Sequence, residues 1–245
     1  MIKSLGKIIV IDGPDGTGKN TTTTKVVELL RARRPFGETE IKTCSFPNYQ
    51  DFYGQQVRNY LDGDSADERV RMPAELRDDP LLASLPYAAD RYVTAKKIIH
   101  PGLKNGSIFV FDRYVWSNLV HQAAKLNTQD ERDEYQRRLF LLEFGYFNLP
   151  RPDQTIILHV PESVRQARIT RRLEEELGSS DGKGRISRTD IHEQNVAYMS
   201  RVAELYVEYA RREGWEVLEC VDGSRELSPD EVAEQAYRLI TQRLT

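Results

Sequence analysis

The sequence predicts an α/β fold, a five-stranded parallel sheet with helices on both faces. Two observations predict it. Short apolar runs alternate with longer stretches of helical periodicity, the pattern of parallel strands joined by helical crossovers. The first run then leads straight into Gly13-Pro14-Asp15-Gly16-Thr17-Gly18-Lys19-Asn20, which opens a helical segment. A strand, a glycine-rich loop and a helix in that order form a phosphate-binding unit. Neither a repeat nor a long linker divides the 245 residues, so one domain over 1–245 is expected.

The elements follow in order. Ile8–Ile11 is apolar at every position, as in a strand buried on both faces. Ile41–Phe46 is a second strand, interrupted by Lys42 and Thr43. Ile108–Phe111 and Thr155–Val160 are the third and fourth, and Trp215–Val221, alternating around Val217, is the fifth. Met199, Val202, Ala203, Tyr206 and Ala210 recur at spacings of three and four, one face of a helix. The last helix opens on Ser228-Pro229-Asp230-Glu231, an N-cap, a proline in the first turn and a Glu three residues past the cap. Its stripe is Val232, Ala236, Leu239 and Ile240. Two polar stretches interrupt the pattern: Asp62–Asp79, and Gly178–Gly184, whose composition is that of a mobile loop tip.

Composition excludes several classes. The net charge of -3 argues against bulk binding of nucleic acid or of an anionic membrane. Two cysteines, Cys44 and Cys220, make neither a disulfide framework nor a metal site. Apolar runs fall short of the ~18 residues of a membrane span, and the run after Met1 is too short for a secretory core, so a cytoplasmic location is expected.

In the phosphate loop, Gly13, Gly16 and Gly18 let backbone N–H groups turn toward one centre, and the helix N-terminus adds partial positive charge. Lys19 reaches the β- and γ-phosphates as a point charge. Asn20 stands where a Ser or Thr hydroxyl usually ligates Mg²⁺, and an amide oxygen is a different ligand. Thr21 either helps a phosphate or starts the helix. No guanine-reading Asn/Thr-Lys-x-Asp motif is present, which favours an ATP-using transferase over a GTPase. Asp112 closes the third strand, a suitable place for a carboxylate that holds Mg²⁺ through water. Arg113 follows it at a strand's carboxyl end, where ligands gather. Arg168, Arg171, Arg172, Arg185 and Arg188 surround the Gly178–Gly184 stretch, although Glu174–Glu176 among them also suit an ordinary solvated helix face.

Further segments, together with the loop, resemble the thymidylate kinase family. They are Ser45-Phe46-Pro47-Asn48-Tyr49, Tyr87-Ala88-Ala89-Asp90-Arg91, Phe111-Asp112-Arg113-Tyr114 with Ser117-Asn118 and His121-Gln122, Leu149-Pro150-Arg151-Pro152-Asp153, and Asp190-Ile191-His192-Glu193. The Phe-Pro-Asn-Tyr, Ser-Asn-x-x-His-Gln and Asp-Ile-His-Glu forms resemble one bacterial branch. The resemblance runs from Gly6 to about Leu244 and implies a P-loop nucleoside monophosphate kinase fold with a lid at about 171–189.

The implied reaction is transfer of the ATP γ-phosphoryl group to dTMP with Mg²⁺, in a homodimer. A kinase for another deoxynucleoside monophosphate, or a nucleotide-binding protein without turnover, are the alternatives. By resemblance the ATP site is Gly13, Asp15, Gly16, Thr17, Gly18, Lys19, Asn20 and Thr21. Tyr87 stacks on thymine, Arg91 donates to its O4 and Asn118 meets N3. Asp15, Phe46, Tyr49, Arg113, His121 and Gln122 complete the monophosphate site, with His121 beside the sugar 2′ carbon. The metal region is Asp15, Asn20, Asp112 and Glu193. With no arginine in the loop, the catalytic one comes from the lid, from Arg172, Arg185 or Arg188, acting with Lys19 and Arg113. Read without the resemblance, Tyr87 is a core ring and Arg91 pairs with Asp90 or a surface neighbour. Asn48 stands where many members carry Arg, which puts more of the monophosphate contact on Arg113.

Overall fold

A computed structural model describes residues 6–62, 73, 77–178, 196–223 and 225–244, side chains excepted at 172–178 and 196. Its sheet strands are β1 (Lys7–Asp12), β2 (Ile41–Ser45), β3 (Ile108–Asp112), β4 (Gln154–His159) and β5 (Glu216–Glu219). They lie in the order β2-β3-β1-β4-β5, every neighbouring pair parallel. The helices are α1 (Lys19–Arg33), α2 (Phe52–Asp62), α3 (Pro80–Thr94), α4 (His100–Lys104), α5 (Val115–Ala123), α6 (Gln129–Phe140), α7 (Glu162–Gly178), α8 (Val196–Glu213) and α9 (Pro229–Leu244). Single π-helical turns at Ala95–Ile99 and Leu141–Tyr146 extend α3 and α6.

The continuous apolar runs are explained by two cores, one on each face of the sheet. Ile8 and Val10 of β1 and Phe109 and Phe111 of β3 point into a core closed by α5, α6 and α8 through Trp116, Leu119, Leu139, Val202 and Tyr206. Ile9 and Ile11, with Ile108 and Val110, point the other way, against Val26 and Leu30 of α1 and Val232, Ala236 and Ile240 of α9. Because strand side chains alternate between faces, only an unbroken apolar run fills both. Each such side chain is worth about 1.5–3 kcal/mol of burial. The capping box that opens α9 is formed: Glu231 N–H donates to Ser228 Oγ at 3.2 Å and Ser228 N–H to the Glu231 carboxylate at 2.8 Å.

The fifth strand is shorter than the sequence pattern suggests. It ends at Glu219, and Val221 belongs to a separate antiparallel pair, β6 (Val221–Asp222) with β7 (Arg225–Glu226). The chain turns at Cys220, whose N–H still bonds His159 O at 2.8 Å while its own carbonyl accepts from Leu227 N–H at 3.0 Å. Trp215 lies ahead of β5, its N–H on Ala210 O and its ring 4.7 Å from that of Trp116. Both cysteines are free thiols. Among the described residues no helix is long and apolar enough to cross a membrane.

The sheet order places β1 between β3 and β4, so the crossovers leave β1 in opposite directions. A crevice opens at the carboxyl ends of strands at such a switch point. Asp12 to Gly13 and Asp112 to Arg113 lie there.

Candidate active site

The loop between β1 and α1 is shaped by its glycines. Gly13 has φ 144°, and a Cβ there would lie 2.6 Å from Leu158 O; Gly16 has φ 86° and packs against Arg165. Thr17 is buried and its hydroxyl donates to Pro14 O at 2.8 Å. Lys19 is the first residue of α1, and its Nζ donates to Pro14 O at 2.8 Å and stands 3.4 Å from Asp15 Oδ1. Burial, then the Arg113 charge, lower the Lys19 pKa, with Asp15, Asp12 and Asp112 opposing them.

Arg113 and Asp15 form an ion pair at the centre of the site. Burial opposes the charge on both partners. The mutual field wins: Arg113 and Lys19 hold the Asp15 carboxyl well below the usual range, and Asp15 raises Arg113. Arg113 has a left-handed φ of 66°, while its N–H bonds Ile11 O at 3.0 Å. A non-glycine residue held there stores of order 1–3 kcal/mol, and such strain concentrates at functional sites. Behind this pair, the fully buried Asp12 accepts from Gly13 N–H at 2.8 Å, from Ser117 Oγ at 2.7 and 2.8 Å, and from Tyr206 OH at 2.9 Å. Burial raises its pKa against Arg113 and Lys19.

On one side of the Asp15–Arg113 pair is a cavity of about 220 Å³. Asp15, Phe46, Tyr49, Tyr87, Arg91, Arg113, Asn118, His121 and Gln122 all line it. Residues expected at the monophosphate site and scattered over more than a hundred positions are thus brought together. Pro47, Leu61, Tyr114 and Ser117 complete the wall. Asp90 accepts from Asn48 N–H at 2.9 Å and so ties the Phe46–Tyr49 loop to α3. Tyr87 meets Tyr60 edge to face at 6.0 Å. Asn118 donates to Ser84 O at 3.4 Å, and its Oδ1 is buried without a partner among the described residues. Arg91 pairs with neither Asp90 nor a surface neighbour. It is buried against Glu143, a fully buried carboxylate, because nothing less than a full counter-charge offsets the desolvation of a guanidinium.

On the other side lies a cavity of about 530 Å³, lined by every residue from Asp15 to Thr22 together with Asp112, Arg113, Arg168 and Arg171. Gly13 lies behind it, against β4. Arg168 donates to Glu226 Oε2 at 3.0 Å and reaches Gly16 O and Thr17 O at 3.4 Å, so it links α7, the loop and β7. Glu226, Leu227, Pro229 and Val232 form the far wall. The two cavities share Asp15 and Arg113. Arg172 lies where side chains are not described, and Arg185, Arg188 and Glu193 lie outside the described residues, as does the expected lid beyond 178.

Sequence reasoning missed Asp12, Tyr206 and Glu143 as parts of the site. Asp12 ends β1 as Asp112 ends β3, so the same pattern that flags one flags the other. Tyr206 reads as part of an apolar stripe, and its hydroxyl gives no periodic signal. Glu143 interrupts Leu141-Leu142-Glu143-Phe144, and a lone charge in an apolar run was the available cue.

Two cavities that share a carboxylate and an arginine, one floored by a phosphate loop, suit an enzyme that passes a phosphoryl group between two nucleotides. On this sheet the class is the P-loop nucleoside monophosphate kinases, a group of phosphotransferases. A family model described as Thymidylate kinase matches residues 11–227. A probable thymidylate kinase of Pyrobaculum aerophilum is 30% identical over 95% of both chains. The thymidylate kinase of Synechococcus sp. (strain CC9902) is 28% identical over 95% of this chain and 97% of its own length. That of Wigglesworthia glossinidia brevipalpis is 26% identical over the full length of both. The chain belongs to the thymidylate kinase family.

Proposed function

We propose that the enzyme transfers the γ-phosphoryl group of ATP to the 5′-phosphate of dTMP, giving ADP and dTDP. The observation that carries this reading is the meeting of the two cavities at Asp15 and Arg113. Two polyanions must approach end to end, and catalysis of this kind rests on positioning and charge neutralisation. Arg113, fixed by Asp15 and by its strained backbone, neutralises the acceptor phosphate. Lys19 and the Gly13–Thr21 backbone hold the donor phosphates. The lid supplies a further positive charge from Arg172, Arg185 or Arg188.

At the nucleoside end, Tyr87 stacks on the base, Phe46, Tyr49 and Gln122 enclose it, and His121 lies beside the sugar. Asn118 Oδ1, buried without a partner among the described residues, suits the N3–H of thymine as an acceptor. Arg91 donates to O4, which disfavours cytosine, where a donor stands at that position.

The residues also fit Mg²⁺. Asp112 Oδ1 is buried without a hydrogen-bond partner among the described residues, and Asp112 Oδ2 lies 3.5 Å from the Asn20 amide. A spare carboxylate oxygen beside the phosphate loop is a hard oxygen of the kind this cation takes, and the Asn20 amide, which donates to Asp112 through Nδ2, carries a second on its other arm. Asp112 and Asn20, with Asp15 and Glu193, would hold it. When bound it neutralises charge on the donor phosphates. A homodimer, a cytoplasmic location and the bacterial branch belong to the same proposal, the branch resting on the Phe46–Tyr49, Ser117–Gln122 and Asp190–Glu193 segments.

The test is ADP release with ATP, Mg²⁺ and, in turn, dTMP, dUMP, dCMP, dGMP and dAMP. The expected result is the highest kcat/KM with dTMP. Preference for another monophosphate, or no release with any, would overturn the reading.

A further inference from the structure

Glu143 is a fully buried carboxylate behind the monophosphate cavity, paired with a residue of its wall, that the proposed reaction does not use. It sits in the π-helical turn Leu141–Tyr146, which adds a residue to the end of α6 and turns this side chain into the protein. Its two oxygens take the Nε and Nη2 edge of Arg91, with Nε to Oε2 at 3.0 Å and Nη2 to Oε1. A bidentate pair of this kind fixes the plane of a guanidinium as well as its place. Among the described residues the remaining nitrogen, Nη1, has only a 3.4 Å contact to Tyr114 O. It therefore keeps donor capacity, on a residue that lines the cavity. Ser84, Tyr135 and Asn118 form the adjoining layer: Ser84 Oγ and Tyr135 OH are 2.8 Å apart, and Tyr135 OH donates to Asn118 O at 3.4 Å. Arg91 is thus braced by its side chain, and Asn118 by its backbone carbonyl, from the side of α6 and its π-helical turn.

We propose that Glu143 is a positioning residue for base selection: it clamps one edge of Arg91 so that the opposite edge is presented as a fixed donor to a pyrimidine 4-carbonyl. Without the clamp, a long flexible arginine aligns with other acceptors nearby, and a fixed donor becomes an adaptable one. Discrimination between a carbonyl and an amino group depends on that fixity, because a mobile guanidinium avoids the donor–donor clash that a clamped one cannot. The inference rests on the reading of Arg91 as the base-reading residue.

The test compares wild type, Glu143→Gln, Glu143→Asp and Arg91→Lys. Each is first checked for a cooperative melt, then assayed with dTMP and dCMP. Glu143→Gln keeps the volume but loses the bidentate charge pair; Glu143→Asp keeps the charge and withdraws it by one methylene. For Glu143→Gln the expected result is a KM for dTMP raised about tenfold and a dTMP/dCMP ratio of kcat/KM narrowed about tenfold. KM for ATP stays within about twofold, since the donor cavity is separate. Glu143→Asp changes the same quantities in the same direction and keeps the proposal testable if the glutamine variant does not fold. If Arg91→Lys narrows the ratio while both Glu143 variants keep the wild-type value, the positioning role is overturned and the base reading stands. If Arg91→Lys also leaves the ratio unchanged, both are overturned. Equal rises in KM for ATP and for dTMP would show a merely structural role and overturn the proposal.

Discussion

In the proposed reaction Lys19 carries donor-side charge. The amine is buried at the first turn of α1 and already bonded to Pro14 O, so it is held in place before any phosphate arrives. A preorganised charge of this kind strengthens its contact as negative charge shifts in the transition state. Lys19→Ala is therefore expected to lower kcat at least about 100-fold. A folded variant with near-normal kcat would remove Lys19 from the site. On the acceptor side, His121 projects from α5 into the cavity wall. Its ring lies 6.2 Å from that of Tyr198 and 6.4 Å from that of Tyr206, and Tyr198 OH donates to its carbonyl at 2.7 Å. Held between α8 and the cavity, the ring would exclude a ribose 2′-OH. His121→Gly should narrow the preference for dUMP over UMP about tenfold, or ~1.4 kcal/mol. The base is the same in both, so base readout cancels; an unchanged kcat/KM ratio in a variant that melts cooperatively would leave His121 as helix packing.

The elements were legible where the pattern is local. Ile8–Ile11 read as a strand buried on both faces, and Ile108–Phe111 as a clear strand, because two cores need both sets of side chains. The Ser228–Glu231 cap read correctly because its bonds lie within four residues. Trp215–Val221 read too long: alternation continues through the turn at Cys220, and the antiparallel partner Arg225–Glu226 lies beyond the window that periodicity samples. The same distance limit hid Glu143, which acts on Arg91 from 52 positions away. Of the nine residues expected at the monophosphate site, Asp15 and Arg113 were legible from the phosphate loop and the strand end; the other seven came only through the resemblance, since Tyr87 and Arg91 alone read as ordinary helix residues. A tie between elements also sets a pH dependence. Lys125, just after α5, donates to Tyr60 OH of α2 at 3.0 Å and to Arg77 O at 2.7 Å. Burial lowers its pKa from 10.5 to about 8, with Asp78 and Asp79 opposing. Between those values the unfolded chain holds a proton that the folded chain has released, so this group's contribution to stability rises with pH across the window. Lys125→Met lacks that gain. The Tm difference between wild type and variant should move in favour of wild type as pH rises from below 8 to above 10.5; a constant difference would contradict the shift.

At the scale of the molecule, the sheet order sets the chemistry. Placing β1 between β3 and β4 brings the phosphate loop and Arg113 to one crevice, with the two cavities on either side of the Asp15–Arg113 pair. On the proposed reading, donor and acceptor phosphates meet at that pair. A bisubstrate ligand, adenosine and thymidine joined through five phosphates, would fill both cavities at once, and its affinity by calorimetry at fixed Mg²⁺ measures their adjacency directly. Joining two ligands that bind at adjacent sites makes the second binding event intramolecular, which is worth a factor of about 10²–10⁴. The expected Kd is at least about 100-fold below that of ATP or of dTMP alone; a Kd no lower than that of the tighter single nucleotide would mean that the two phosphate chains do not meet at Asp15 and Arg113.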